Sequence, residues 1–219
     1  METAAIGTTV ALAGASTAVL AMVGVPLAWW LAITRSRLKP AVEAFVALPL
    51  VLPPTVLGYY LLVSLAPSGP IGSVVSALGG PNLPFTFGGL LIGSVLFNLP
   101  FLVRPAAAAF AAVDPRLFEA AGCLGAGPAR VFFKVAMPLA RNGLLAGVVL
   151  TFAHAVGEFG VVLMLGGNIP GRTRTLSVAL YDDVQALEYG RAGTTAFALL
   201  VAAFVLIAIV QRLERKGRS

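Results

Sequence analysis

Few side chains in this sequence have the types and spacing that acid–base chemistry requires, and two of them are close together. His154 is the only histidine of the 219 residues, and Glu158 follows it four positions later in an apolar segment. Residues four apart share one face of a helix, so the two side chains could face each other. Such a pair could relay protons or hydrolyse a substrate. A hydrogen-bonded structural carboxylate is the alternative, and it is the interpretation we favour.

Three further polar residues are candidates for a site. Asn98 precedes Pro100 by two residues in an apolar run, and its amide either lines a polar path or bonds a carbonyl that the proline leaves free. Arg172 and Arg174 lie between two apolar runs and are expected to be exposed. They could attract an oxyanion, contact an acidic surface of a docking protein, or remain solvated.

Several chemistries are excluded by what the sequence does not contain. A phosphate-binding P-loop needs Gly-Lys followed by Ser or Thr, and none of the three lysines, Lys39, Lys134 and Lys216, has that context. The chain therefore lacks an ATPase site of its own. One histidine and one cysteine, Cys123, form no metal-binding cluster. We expect a protein that is not an enzyme, with no catalytic, cofactor or metal ligands.

The elements that must position these residues are transmembrane helices. Hydrophobic residues make up 58% of the chain and charged residues 11%, whereas soluble domains carry about 25% charged residues. Runs of about 20 apolar residues span a bilayer. Five runs predict an all-α integral membrane protein that is a single domain over residues 1–219: 8–34, 41–65, 86–113, 142–165 and 194–210. Residues 66–85 are expected to form a loop with at most a short helical turn.

The distribution of basic residues predicts the orientation. The 35–40 loop, the 114–141 loop and the C-terminal tail hold eleven Lys and Arg residues, whereas the opposite loops hold three, Arg172, Arg174 and Arg191. Because cytoplasmic loops are enriched in positive residues, we expect the N-terminus outside and the C-terminus in the cytoplasm.

The cytoplasmic segment 114–141 carries signals for two short helices. Asp114 is a good N-cap, and Pro115 suits the first helical position. Gly125 and Gly127 suit a left-handed helix stop, after which Pro128 can begin a second helix. From these residues alone, an amphipathic connector on the membrane surface explains the segment as well as a docking element does.

This segment resembles the cytoplasmic loop of bacterial ABC-importer permeases. Their pattern is Glu-Ala-Ala, three residues, Gly, nine residues and Ile-x-Leu-Pro; this chain keeps the spacing, with Val and Met for Ile and Leu. The resemblance implies a helix that docks on an ATP-hydrolysing subunit. Gly122 stands where the family commonly has a basic residue, which removes one potential salt bridge to that subunit. The implied coupling-loop residues are Asp114, Glu119, Ala120, Ala121, Gly125 and Pro138.

Other segments are similar to molybdate permeases in particular. These are LPLVLPPTVLGYYLL at 48–62, GEFG at 157–160 and GNIPGRTRT at 167–175. Sulfate permeases are similar around GEFG, and tungstate is nearly the same size and charge as molybdate, so both anions remain alternatives. From the combined patterns we assign Asn98, Glu158 and Gly160 as candidate path or gate residues, and Asn168, Arg172 and Arg174 as candidate contacts of a binding protein.

The resemblance also implies an assembly. It predicts a type I importer permease in the cell (inner) membrane, surrounded by lipid and paired with a second copy of itself. Two ATP-binding cassette subunits in the cytoplasm would bind ATP and Mg²⁺, and an extracytoplasmic protein would deliver the oxyanion. Nucleic acid is not an expected partner.

Two other classes of protein stay open as alternatives. An intramembrane enzyme would use His154 and Glu158. An ion-coupled secondary transporter would usually show inverted repeats, and the sequence shows no internal repeat.

Overall fold

The computed structural model describes residues 2–217, with side chains as far as Leu213, and this part of the chain is all helical. Arg218 lies outside the described residues, as do the side chains of Arg215 and Lys216. Eleven α-helices and one π-helical turn follow in order: α1 Thr3–Ile33, α2 Lys39–Val51, α3 Pro54–Leu65, α4 Pro70–Ala77, α5 Phe87–Ala111, α6 Pro115–Cys123, α7 Pro128–Val131, the π-turn Phe132–Ala136, α8 Met137–Val156, α9 Gly160–Gly166, α10 Leu176–Gln185 and α11 Tyr189–Gly217.

Five helical stretches in the described residues are long and apolar enough to cross a membrane, which confirms the predicted number. They are Thr3–Ile33, Pro54–Ala77, Phe87–Ala111, Pro128–Val156 and Tyr189–Leu213. The third span illustrates how the sequence sets a boundary. Its N-cap is Thr86, whose hydroxyl accepts a hydrogen bond from the Gly89 amide at 3.3 Å, so one free N–H of the first turn is satisfied.

The predicted helix at 41–65 is not continuous. It divides into α2 and α3 at Leu52 and Pro53, both of which have extended backbone (ψ 135° in each). The reason is local, since a proline disfavours helical geometry in the residue before it and Pro54 follows Pro53. The predicted loop at 66–85 contains one helix, α4, of 8 residues. The second hydrophobic stretch therefore comprises α3 and α4 and begins at Pro54.

The second helix of the 114–141 segment also differs from its prediction. The helix that begins at Pro128 does not end before Arg141. It continues through the π-turn into α8 and ends at Val156. Pro138 lies inside this continuous helix directly after the π-turn, where its missing N–H leaves one carbonyl of the preceding turn without an intrahelical donor. One helical rod consequently connects the segment after α6 with the interior of the bundle.

Helix α5 is the centre of the packing, because it contacts α1, α2, α3, α8 and α9. Two hydrophobic clusters lie along it. One includes Leu102, Val103 and Phe110 with residues of α1 and α8, and the other includes Leu90 and Phe97 with residues of α3 and α9. The middle of α5, between these clusters, carries the polar side chains of the candidate site.

Candidate functional site

The predicted fourth span is interrupted at Glu158, and the interruption carries this side chain into the protein. Helix α8 ends at Val156 and α9 begins at Gly160, while Phe159 between them has φ −125° and ψ −60°. Glu158 is only 4% exposed. An ionisable group so deep in a membrane protein requires partners, because an unpaired buried charge is costly.

Two residues of α5 supply those partners. The Ser94 hydroxyl donates to Oε2 of Glu158 at 2.8 Å, and the Asn98 Nδ2 amide donates to the same oxygen at 2.9 Å. Ser94 and Asn98 are four residues apart, so both lie on one face of α5. Both are fully buried. Their hydrogen bonds to Glu158 connect the break between α8 and α9 to α5.

His154 joins this cluster through Asn98. Its Nδ1 lies 2.9 Å from Oδ1 of Asn98, and its ring stacks on Phe101 with centroids 3.6 Å apart. The amide oxygen can only accept a hydrogen bond, which assigns the hydrogen to Nδ1 of His154. The expectation that His154 and Glu158 face each other directly is therefore replaced by an indirect connection through an amide.

We refer to Ser94, Asn98, His154 and Glu158 as the polar cluster. Three of its members were predicted from the sequence, and Ser94 was not. Its position could have indicated it, because Ser94 precedes Asn98 by one helical turn in the same apolar run. Asn98 bonds the Ser94 carbonyl oxygen (2.8 Å) as well as the side chains of Ser94, Glu158 and His154. It therefore does not bond the carbonyl that Pro100 frees, which belongs to Leu96, four residues earlier.

A cleft of about 580 Å³ borders the polar cluster. His154, Glu158, Phe97 and Thr55 contribute to its lining. The second carboxylate oxygen of Glu158, Oε1, is buried and has no hydrogen-bond partner among the described residues. Two donors from α5 hold Glu158, and the Asn98 amide lies between Glu158 and His154. The geometry favours a structural carboxylate.

Gly160 permits the close approach of α9 to α3. A Cβ atom at this position would lie 2.7 Å from Cβ of Pro54 and 3.3 Å from the Thr55 nitrogen. Any side chain would push the two helices apart.

Helix α6 is a well-capped helix with no buried residue. Oδ1 of Asp114 accepts from the Arg116 amide at 2.9 Å. Beyond the last turn, Gly125 takes φ +81°, and its amide donates to the Gly122 carbonyl. Both features agree with the sequence-based expectation for this helix. Glu119 and Ala120 are exposed, and Ala121 is half-buried.

One aromatic contact attaches α6 to the rest of the bundle. Phe118 meets Trp29 of α1 edge to face, with centroids 5.0 Å apart, and Trp29 meets Phe110 of α5 in the same manner at 5.2 Å. Helix α6 also contacts α7 and the π-turn, and most of its residues are exposed and available to another molecule.

The three residues predicted to contact a binding protein, Asn168, Arg172 and Arg174, all lie in the loop after α9, but their surroundings differ. Arg174 is not exposed as expected: its side chain is 17% exposed and forms ion pairs with Asp182 (2.6 Å) and Glu2 (3.2 Å). Asn168 donates to the same Asp182 carboxylate at 2.6 Å and has φ +58°. These two residues hold the loop against α10 and the N-terminus. Arg172 is exposed, and it alone of the three forms no ion pair or side-chain hydrogen bond with the residues that the structure describes.

Sequence comparisons match residues 24–219 to a family model described as "Binding-protein-dependent transport system inner membrane component". The chain is 53% identical over 206 residues to the molybdenum transport system permease protein ModB of Azotobacter vinelandii, covering 94% of this chain and 91% of that protein. It is 36% identical over 187 residues to ModB of Escherichia coli K12 (85% and 81%). It is 30% identical over 210 residues to a probable sulfate transport system permease protein cysT of Anthoceros angustus (96% and 73%).

Solved structures show the same fold. A bacterial alginate ABC transporter, in complex with an alginate pentasaccharide-bound periplasmic protein, matches with a TM-score of 0.77 and 20% identity, covering 97% of this chain and 78% of that one. The inward-facing MetNI methionine ABC transporter matches with a TM-score of 0.70 and 19% identity, covering 97% and 94%. At these identities the likeness concerns the fold.

Proposed function

Because this chain belongs to the family of binding-protein-dependent transport system inner membrane components, we propose that it is the membrane-spanning permease of an ATP-driven molybdate importer. It is a multi-pass inner membrane protein. The observation that carries the proposal is the 53% identity to a molybdenum transport permease over 94% of the chain. Identity to the sulfate permease is 30%, so sulfate is the weaker alternative. Tungstate, nearly the same size and charge as molybdate, is the other.

The proposed assembly contains a second copy of the chain, two cytoplasmic ATPase subunits and an extracytoplasmic oxyanion-binding protein. ATP and Mg²⁺ would be bound by the ATPase subunits. The free surface of α6 supports its role as the docking helix, because its residues are available to a partner. The small side chains of Ala120 and Ala121 would allow a close approach.

In this assembly, closure of the ATPase pair would move α6 and tilt the helices between inward-open and outward-open states. The polar cluster would keep α5, α8 and α9 together during this motion, since its bonds join all three elements. Asn98, Glu158 and Gly160 would thus act beside the path by holding its walls, rather than by binding the anion strongly.

The alternative classes fit less well. His154 and Glu158 line one cleft, as an intramembrane enzyme would need, but the 53% identity to a transport permease over 94% of the chain favours transport. For an ion-coupled transporter, the sequence offers no inverted repeat.

Uptake measurements test the proposed function. The permease, its ATPase and its binding protein are reconstituted in liposomes, and labelled molybdate is supplied with ATP. We expect ATP-dependent molybdate uptake that excess sulfate does not suppress. Sulfate uptake at equal or higher efficiency would contradict the choice of substrate. Uptake or hydrolysis by the chain alone, without ATPase and ATP, would contradict the class of transporter.

Topology is a first prediction. From the eleven-to-three distribution of basic residues, we expect the N-terminus outside and the C-terminus in the cytoplasm. Alkaline phosphatase fused before Thr8 should be active, and a fluorescent protein fused after Ser219 should fluoresce. Cytoplasmic reporters at both ends would indicate an even number of spans and contradict the five-span arrangement.

A second prediction separates Arg172 from Arg174. Arg172→Gln should raise the half-saturating concentration of the binding protein about two- to fivefold at low salt and less at high salt, since exposed charges act on encounter and are screened. Arg174→Gln should instead lower thermal stability, because it leaves Asp182 without its ion pair. The thermal midpoint and the half-saturation of ATPase stimulation distinguish the two effects. If wild type and Arg172→Gln have the same half-saturating concentration at every salt concentration, Arg172 is only solvated and does not contribute to binding-protein encounter.

A further inference from the structure

Arg104 is a charged residue of a membrane helix that belongs neither to the polar cluster nor to α6. Arg104 lies on α5, seven residues before its end at Ala111. At 1.5 Å per residue, this places its Cα about 10 Å inside the end of the helix. Arg104 is the only charged residue of α5, and it is exposed. An arginine two turns inside a membrane helix extends its side chain to the interface or is directed to protein or to a water-filled space.

Arg104 faces a cleft between α5 and α2. The cleft has a volume of about 500 Å³, and Glu43, Val46 and Ala107 also line it. Among the residues that the structure describes, Arg104 takes part in no ion pair. Glu43 lies in the same cleft, but its ion pair is with Lys39 of its own helix, at 3.9 Å. The guanidinium is therefore available to a ligand.

Helix α2 forms the other wall of this cleft. It buries a single residue, Val46, against the rest of the chain, so most of its surface is free in one copy. Glu43 is exposed on it, and Lys39 begins it. The later exposed side chains of α2 are apolar, among them Phe45, Leu48 and Val51. The polar part of the cleft is therefore the first turns of α2, where Glu43 lies opposite Arg104.

We propose that Arg104 contacts the transported oxyanion in the cytoplasmic half of the translocation path, an inference that rests on the proposed function. A planar guanidinium with several N–H donors suits a tetrahedral oxyanion, whose oxygens accept charge-assisted hydrogen bonds. Glu43 in the same cleft repels an anion and so keeps it weakly held. Weak binding suits a passage from which the anion must leave.

Transport by the complete reconstituted transporter gives the first test. Arg104→Gln should reduce molybdate uptake per ATP hydrolysed about tenfold, the loss expected when one charge-assisted contact disappears. Stimulation of the ATPase by loaded binding protein should persist. Arg104→Lys should restore part of the uptake because it keeps the charge. Arg37→Gln, which removes an exposed cation outside the span, is the matched control and should behave as wild type. Full uptake by Arg104→Gln would overturn the proposal.

Thiol chemistry tests the cleft without depending on the substrate. Ala107 is replaced by Cys in a Cys123→Ser background, because Cys123 is itself exposed. The transporter in lipid nanodiscs is treated with a sulfonate-bearing or a trimethylammonium-bearing methanethiosulfonate. The anionic reagent should react several-fold faster than the cationic one, and Arg104→Gln should remove that preference.

The results of the two experiments distinguish a wrong role for Arg104 from a wrong substrate. If neither reagent reacts, the side chain faces lipid and its partner is a headgroup, which overturns the proposal. A preference that persists in Arg104→Gln also overturns it. If wild type imports sulfate rather than molybdate, the proposed substrate is wrong, while the reagent preference still reports whether Arg104 attracts anions in an aqueous path.

Discussion

Replacing Gly125 by valine is expected to leave the transporter assembled and to reduce anion uptake by at least about tenfold. Gly125 has φ +81°, a region that β-branched residues strongly resist. A Cβ atom here would meet nothing within 4 Å, so the effect comes from the backbone and not from a clash. Forcing the chain into another conformation costs about 1–3 kcal/mol, and it changes the direction in which α6 ends.

Assembly should survive because α6 buries no residue in the described bundle. Coupling should not, because a contact weakened by about 1.4 kcal/mol already forms tenfold less often. The measurements are molybdate uptake and stimulation of the ATPase by loaded binding protein, with size-exclusion chromatography to verify the complex.

Two variants make this experiment specific to the conformation. Gly127→Val is the matched control, because Gly127 has φ −69° and equally open surroundings, and it should transport as wild type does. Gly125→Asn should recover much of the activity, since asparagine tolerates positive φ. If Gly125→Val keeps wild-type uptake and ATPase stimulation, α6 is not the element that transmits the motion of the ATPase.

Replacing Asn98 by leucine is expected to have the largest effect on stability. The fully buried amide bonds Glu158, His154 and the Ser94 carbonyl. Leucine would leave the His154 N–H without an acceptor and Glu158 with Ser94 as its only donor. Each unsatisfied buried group costs about 1–3 kcal/mol, and more if charged. The thermal midpoint of the purified complex in detergent should fall by on the order of 10 °C, with a lower yield of dimer.

Thr17→Val is the control for exchanging a buried polar group for an apolar one. The Thr17 hydroxyl is buried and has no hydrogen-bond partner among the described residues, so an apolar group of similar shape should be nearly neutral. Ser94→Ala should give an intermediate loss, because it removes one of the two donors to Glu158. Equal thermal midpoints for Asn98→Leu and Thr17→Val would show that the polar cluster does not stabilise the fold.

The features that the sequence predicted well depend on neighbouring residues. Hydropathy locates the membrane helices because each span needs only its own apolar residues. The ends of α6 follow from Asp114, Pro115 and Gly125, whose capping and backbone preferences act within one turn. The break at Pro53 also has a local cause, the Pro-Pro pair. The sequence alone did not predict it, because membrane helices tolerate prolines whose freed carbonyls find other partners, and those partners are known only from the packing.

The features that the sequence did not reveal depend on distant contacts. Ser94 and Glu158 are 64 positions apart, and Arg174 and Glu2 are 172 apart. An arginine in a polar loop has the same sequence signature whether it is solvated or paired. Its partner emerges only when the N-terminus and α10 pack beside the loop, so Arg172 and Arg174 could not be distinguished before the fold was known.

The π-turn at Phe132–Ala136 bears on the length of the segment between α6 and α8. A π-turn contains one residue more than an α-helical turn, and each residue rotates a helix by about 100°. The interval between Gly125 and Pro138 therefore includes a residue that sets which face of α8 meets α5 further along. The loss or gain of one residue inside the continuous helix from Pro128 onward would rotate α8 by about 100° and turn His154 away from Asn98, unless the π-turn absorbed it.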